Sequence, residues 1–171
     1  MMLRHLVVLS GAGLLVGCAS ESPKTPRDAA ARFYAVLDAL GVREAPPPPA
    51  VEALRPFVTQ ELGKALQRAA RPATGPAVPD SGAWFGSLPE GFTSADPRAA
   101  VVRGDTTLVV MAMANTREKP AVSWTDTIVV VSEQGRLVVA DLRYGAGWDF
   151  ARRGTLRMLL DARGTEASPN P

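Results

Sequence analysis

The chain is poor in the side chains on which most enzymes and metal proteins rely: its 171 residues include one His and one Cys. Both His5 and Cys18 lie in an N-terminal stretch that reads as an export signal, so the working domain has neither. That excludes His-based metal centres, Cys nucleophiles, disulfides and any triad with a His base, and no cofactor or metal is expected. A marked excess of charge of one sign is also lacking. The formal net charge is +2, too small for a nucleic-acid surface. No apolar run reaches the roughly 20 residues needed to span a bilayer. Fifteen Pro and fifteen Gly interrupt the chain too often for a long helical bundle. What is present is an ordinary globular composition, with a length that allows one domain.

The N-terminus carries the most specific signal. Arg4 and His5 make a short basic start, and Leu6 to Val16 is an uncharged apolar run, the layout of a secretory signal. It ends in Leu15-Val16-Gly17-Cys18. This resembles the bacterial lipobox: a branched residue three places before the Cys, a small residue directly before it, then the Cys. The resemblance implies diacylglyceryl attachment at Cys18, cleavage after Gly17 and palmitate-type acylation of the new amine. Two or three acyl chains make a stable anchor where one does not. Ala19, in the place where Asp favours inner-membrane retention, implies the outer membrane, facing the periplasm. Ala19 to Lys24 reads as a tether of about six residues, which reach at most roughly 20 Å.

The remaining chain divides into helical and strand-like halves. Thr25-Pro26-Arg27-Asp28 predicts a helix start, with Thr as N-cap, Pro at the first helical position and Asp at N3. Phe33, Val36, Leu37 and Leu40 follow helical spacing, and Gly41 is a natural stop. Pro46 to Pro49 reads as a stiff spacer in preference to a polyproline recognition motif. Val51 to Phe57 is expected as a short turn interrupted by Pro56. Thr59 caps a second helix that turns Leu62 and Leu66 inward and fades near Arg71. Arg71 to Arg98 is the least regular stretch, either a loop covering a sheet edge or the rim of a pocket. Four antiparallel strands follow at Ala99–Arg103, Thr106–Ala114, Val122–Ser132 and Arg136–Tyr144, with turns at Gly104-Asp105 and Gln134-Gly135. Thr155 caps a last short helix bearing Leu156, Leu159 and Leu160, and Gly164 to Pro171 is expected to fray. No internal repeat is visible.

This order predicts an α+β fold: N-terminal helices packed across a curved antiparallel sheet of about four strands, with a short C-terminal helix. The expected organisation is a signal at 1–17, a lipidated Cys and tether at 18–25, one domain at 26–163 and a tail at 164–171. The order is that of the cystatin-like cone folds, which include SnoaL-like and ketosteroid-isomerase-like proteins. Particular words sharpen the likeness: Phe33-Tyr34, Leu54-Arg55-Pro56-Phe57, Trp124-Thr125-Asp126, Asp141-Leu142-Arg143-Tyr144 and Gly154-Thr155-Leu156-Arg157. In this order they resemble the YbjP-like outer-membrane lipoproteins, a bacterial family with a domain of unknown function. The likeness spans about Asp28 to Arg163. Relatives carry Trp near Leu137, a second acid near Ala140 and an Asp-Pro-Phe type sequence where this chain has Trp84-Phe85. The resemblance implies fold and location and supplies no catalytic residues.

Candidate chemistry rests on Asp126 and Asp141 with Tyr34 and Tyr144. Side-chain alternation puts Asp126 on one strand face with Val122, Trp124, Ile128 and Val130, and Asp141 with Leu137, Val139 and Arg143. One use is isomerase- or lyase-type catalysis, with a carboxylate base in an apolar pocket and a Tyr as neutral acid. The plainer and preferred use is structural, each Asp pairing with an Arg, Arg143 foremost, because an unpaired buried carboxylate is costly. Trp84, Phe85 and Phe92 are the candidate binding residues of the irregular stretch. Arg152, Arg153, Arg157 and Arg163 form a basic stretch, read as a solvated helix face in preference to a surface for anionic lipid. The expected function is a lipid-anchored, non-catalytic binding module. Its partners would be the membrane, through acylated Cys18, and an envelope protein or small apolar ligand. The alternatives are the cone-fold enzyme and a structural or stress-related envelope component.

Overall fold

The computed structural model describes residues 22–42, 45–70 and 82–166. The predicted export signal and Cys18 lie outside the described residues, as do 71–81 of the irregular stretch and 167–171 of the tail. Helix α1 spans Pro26–Ala39 and begins with the predicted capping box. The Thr25 hydroxyl accepts from the Asp28 N–H at 3.2 Å, and the Asp28 carboxylate accepts from the Thr25 N–H at 3.0 Å. Gly41 ends the helix at a φ of 63°, where a side chain would be strained.

The proline run is not wholly a spacer. Helix α2 spans Pro48–Leu54, with Pro47 extended before it. Pro48 and Pro49 fall in the first turn, where a missing N–H costs nothing because those donors have no intrahelical acceptor. A 3₁₀ turn at Arg55–Phe57 follows. Helix α3 spans Gln60–Ala69, and the Thr59 hydroxyl accepts from the Leu62 N–H at 3.2 Å.

The four strands are β1 Ser94–Arg103, β2 Thr106–Asn115, β3 Val122–Glu133 and β4 Arg136–Arg143, an antiparallel meander in the order β1-β2-β3-β4. Strand β1 starts five residues before its expected place, through Pro97. An edge strand tolerates proline because one side of its backbone needs no ladder partner, and an irregularity between Pro97 and Ala100 accommodates it. Helix α4 spans Leu156–Glu166, beyond the expected limit at Arg163, since one glycine costs a helix only about 1 kcal/mol. The architecture is therefore the expected α+β fold: helices on a four-stranded antiparallel sheet, with a short C-terminal helix. No described helix is long and apolar enough to cross a membrane.

The core lies on one sheet face. Val109, Met111 and Met113 of β2, Trp124, Ile128 and Val130 of β3, and Val139 and Leu142 of β4 are buried there. Helix α1 crosses that face and meets all four strands, bringing in Phe33, Tyr34 and Leu37. Helices α3 and α4 pack on each other at the β4 side, where Val58 bridges to Val139. Because α1 meets all four strands, loss of its cap is read in the stability of the whole domain. Thr25→Ala is expected to lower the stability by about 1 kcal/mol, read as a lower urea midpoint at unchanged slope.

Candidate functional site

The β3 face carries one charged side chain into this core. Asp126 is 1% exposed and sits between Trp124 and Ile128 on the buried face, as alternation predicts. Four donors converge on its carboxylate. Oδ2 accepts from the Ser87 N–H at 3.0 Å and from the Trp124 indole N–H at 2.9 Å. Oδ1 accepts from the Gly145 N–H at 2.9 Å and from the Ser87 hydroxyl. The Ser87 Oγ accepts in turn from the Gly145 and Ala146 N–H groups at 2.9 and 3.2 Å. Gly145 has no substitute here: a Cβ would collide with the Thr125 carbonyl oxygen.

The two tyrosines serve the same stretch of chain. The Tyr34 hydroxyl donates to the Phe85 carbonyl at 3.2 Å, and the Tyr144 hydroxyl to the Trp84 carbonyl at 2.8 Å. Arg152 completes the set, its Nε donating to the Ala83 carbonyl at 2.8 Å and its backbone N–H to the Ser87 carbonyl at 2.9 Å. Residues 83–88 are buried and belong to no helix or strand, so their backbone groups have no ladder to satisfy them. Asp126, Tyr34, Tyr144 and Arg152 act as that missing ladder.

Burial pushes the Tyr34 hydroxyl well above the ordinary tyrosine range, and the Asp126 and Tyr144 charges add to the effect. A proton is therefore held at Tyr34 and spent on a backbone carbonyl. A general base must meet the proton it abstracts; both Asp126 oxygens already meet fixed donors. Three sequence candidates thus come together, Asp126 with Tyr34 and Tyr144, and they come together as a structural network.

Asp141 stands apart. A bulge between Val129 and Val130 on β3 is matched by the extra residue Ala140 on β4, so Asp141 pairs with Val129 while Val139 pairs with Val130. The expectation that Asp141 shares a face with Val139 is corrected by that inserted residue, because one extra residue reverses the alternation. Its Oδ1 accepts from the Leu142 N–H at 2.8 Å and the Arg157 N–H at 3.1 Å. It thereby stabilises the first turn of α4, where a carboxylate is favoured. The preferred pairing of each Asp with an Arg is also corrected. Among the described residues, Asp126 and Asp141 are held by N–H and O–H donors and neither pairs with Arg143. Neutral donors suffice, since several hydrogen bonds replace the lost hydration without burying a second charge.

Trp84, Phe85 and Phe92 do not form a rim. They are 0%, 1% and 5% exposed and belong to the core. Phe85 packs edge-on against Phe33, with centroids 5.7 Å apart, and Phe92 against Tyr34 at 5.1 Å. The Arg163 guanidinium lies over the Trp84 ring at 4.9 Å. Burying each such ring stabilises the fold by roughly 1.5–3 kcal/mol, which outweighs the turn-forming tendency of the surrounding Pro and Gly. The Trp84 indole N–H is buried with no hydrogen-bond partner among the described residues. Ser87 and Gly145 stand outside the sequence expectations, and the reading of Arg152, Arg153, Arg157 and Arg163 as a solvated helix face is corrected: Arg152 and Arg153 precede α4, Arg152 donates into the buried segment and Arg163 covers the Trp84 ring. No periodicity marks Ser87 within an irregular stretch, and the closest sequence cue to Gly145 is its place directly after the Asp141–Tyr144 word.

Clefts among the described residues include the following, two of them lined in part by Tyr34 or Tyr144. One of about 260 Å³ lies among Glu52, Arg55, Lys64, Glu133 and Arg136, one of about 200 Å³ between α1 and the start of β1, and one of about 270 Å³ beside Tyr144. Neither Asp126 nor Asp141 lines any of them. Among the described residues no three His, Cys, Asp or Glu side chains are grouped to hold a metal ion. No family model matches the chain, and no curated protein or solved structure matches it significantly.

Two outcomes follow from the network. Asp126→Asn puts an amide group against N–H donors and is expected to cost about 2–4 kcal/mol, with Ser87→Ala costing about 1–3 kcal/mol; denaturant melts of both variants measure this. Tyr34→Phe leaves the Phe85 carbonyl unpartnered and is expected to cost about 1–2 kcal/mol at neutral pH. The raised Tyr34 pKa stabilises the fold fully below the unfolded value near 10, and that share is lost as pH rises towards the folded value. Urea melts at pH 8 and above 10 should therefore show the gap between wild type and Tyr34→Phe narrowing.

Proposed function

We propose that the protein is a lipid-anchored bacterial envelope component whose domain is a non-catalytic binding or interaction module at the periplasmic membrane face. The observation that carries the reading is the single Cys of the chain standing at the lipobox position of Leu15-Val16-Gly17-Cys18. The YbjP-like words spread over both halves of the chain support the same location, and Ala19 favours the outer membrane. The partner class is an envelope protein or a small apolar ligand, beside the bilayer itself.

The non-catalytic part of the reading draws its support from the fate of the acid–base candidates. Asp126, Tyr34 and Tyr144 are engaged in holding residues 83–88, and Asp141 in starting α4. An isomerase- or lyase-type site needs a carboxylate and a hydroxyl facing one cavity with room for substrate; the interactions of these four residues weigh against it. The binding surface is correspondingly sought outside Trp84, Phe85 and Phe92.

The test is anchoring. In cells fed labelled palmitate, the wild-type chain is expected to take up label and sediment with membranes. Cys18→Ser is expected to lose the label and the acyl-dependent part of membrane association. A wild-type chain that takes up no label and fractionates as soluble would remove the basis of the reading.

A further inference from the structure

We infer that the surface formed by residues 147–158 is a phospholipid-binding face, with Phe150, Trp148 and Met158 entering the headgroup region of a bilayer and the exposed Arg153 meeting lipid phosphate. It deepens the lipid-anchored reading and relies on that reading for its proximity to membrane. Large apolar side chains are seldom displayed by the described residues, yet Phe150 is 64% and Met158 63% exposed. Arg153 links them, bonded to the Trp148 carbonyl on one side and sharing a cleft with Met158 on the other. Trp148, half-buried, stacks face to face with Phe150 at 5.7 Å and 6°, and packs edge-on against Trp124 of β3 at 6.0 Å. The Arg153 guanidinium donates to the carbonyls of Ala146, Gly147 and Trp148, the last at 2.9 Å. Arg152, Arg153 and Met158 line the cleft of about 270 Å³ beside Tyr144.

Single exposed apolar side chains are ordinary, but a rigid cluster of them is a feature to be explained. This one combines an indole, a phenyl ring and a thioether with guanidinium groups, the composition of the bilayer interface. The charge is mixed: Asp149 lies between Trp148 and Phe150, Asp161 follows on α4, and Arg157 pairs with Glu61 at 3.1 Å. Binding would therefore draw mainly on apolar insertion and local guanidinium–phosphate contacts, with little long-range attraction. Three projecting side chains also fall well short of the roughly 800 Å² per partner of a stable protein interface, whereas insertion of a few side chains is enough to orient a domain that acyl chains already hold at the surface. The predicted tether of about six residues keeps the domain within roughly 20 Å of that surface.

The experiment uses the full chain with vesicles of phosphatidylcholine and phosphatidylglycerol whose acyl chains carry bromine near the headgroup, a short-range quencher of indole emission. The expected result is partial loss of tryptophan emission that disappears in Trp148→Phe and shrinks in a Phe150→Ser/Met158→Ser double variant. Near-UV circular dichroism checks that the double variant keeps its packed core. A chain that floats with the vesicles but shows no quenching, or the same quenching in Trp148→Phe, overturns the lipid face while the anchor stands. A Cys18→Ser chain that still binds vesicles with quenching at Trp148 supports the face and removes the anchor from the explanation. A chain that does not float with vesicles overturns both.

Discussion

Burying an irregular segment is the constraint on which the rest of this structure depends. Residues 83–88 carry two large aromatic rings into the core, and with them a run of backbone that no strand accompanies. Each buried N–H or C=O left without a partner would cost about 1–3 kcal/mol, enough over a few residues to cancel what the rings contribute. The fold meets this from three sides. Tyr34 comes down from α1, Asp126 stands on β3, and Tyr144, Gly145 and Arg152 come from the segment after β4. Asp126 is central because a carboxylate has room for several donors where a carbonyl is filled by fewer. One side chain thereby joins two segments, 39 and 19 residues away in sequence, to the middle of the sheet.

A consequence is that chemistry-bearing residue types are poor guides to chemistry in this protein. A buried Asp beside two Tyr under a helix-covered antiparallel sheet has the composition of an acid–base site, and the residues do cluster. What distinguishes the cases is which atoms face each other. In a catalytic cluster the carboxylate oxygen and the phenol face a common space. Here the hydroxyls of Tyr34 and Tyr144 face the carbonyls of Phe85 and Trp84, and the Asp126 oxygens face N–H groups and a serine hydroxyl. The elevated proton affinity of Tyr34 fits this arrangement, since a phenol without water and near a carboxylate is favoured in its neutral form.

Local structure was legible in the sequence to the extent that its cause was local. The capping box at Thr25 and Asp28, the Thr59 cap, the two hairpins and the inward face of Val122 to Val130 depend on residues a few positions apart, and each appears where expected. The discrepancies at β1, Asp141 and Trp84-Phe85 have non-local causes, whereas the one at Pro48 is local. Pro48 begins a helix instead of ending a spacer because the first turn needs no donor there. β1 starts at Ser94 because β2 offers a ladder as far as Ala114. Asp141 changes face because of one inserted residue, Ala140, which alternation alone does not reveal. The burial of Trp84 and Phe85 depended on partners 51 to 60 residues away, a distance at which sequence pattern carries no information about pairing.

The same network governs what the surface can present. The excursion from Gly145 to Gly154 is closed at its base, where the Tyr144 N–H meets the Gly154 carbonyl at 3.0 Å, and is fastened at its start by Gly145 and Ala146 to Ser87 and Asp126. Trp148 rests on Trp124, whose indole N–H is bound to Asp126. The exposed Phe150 is therefore the outer end of a stack whose inner end is the buried carboxylate. A loop of this length left to itself would turn its aromatic residues inward or lose order on contact with a partner. Held at both ends and stacked from within, it keeps Phe150 outward, and a contact made there would need little further ordering. The hub that occupies the would-be acid–base residues is thus also what makes the outward Phe150 a fixed feature of the surface.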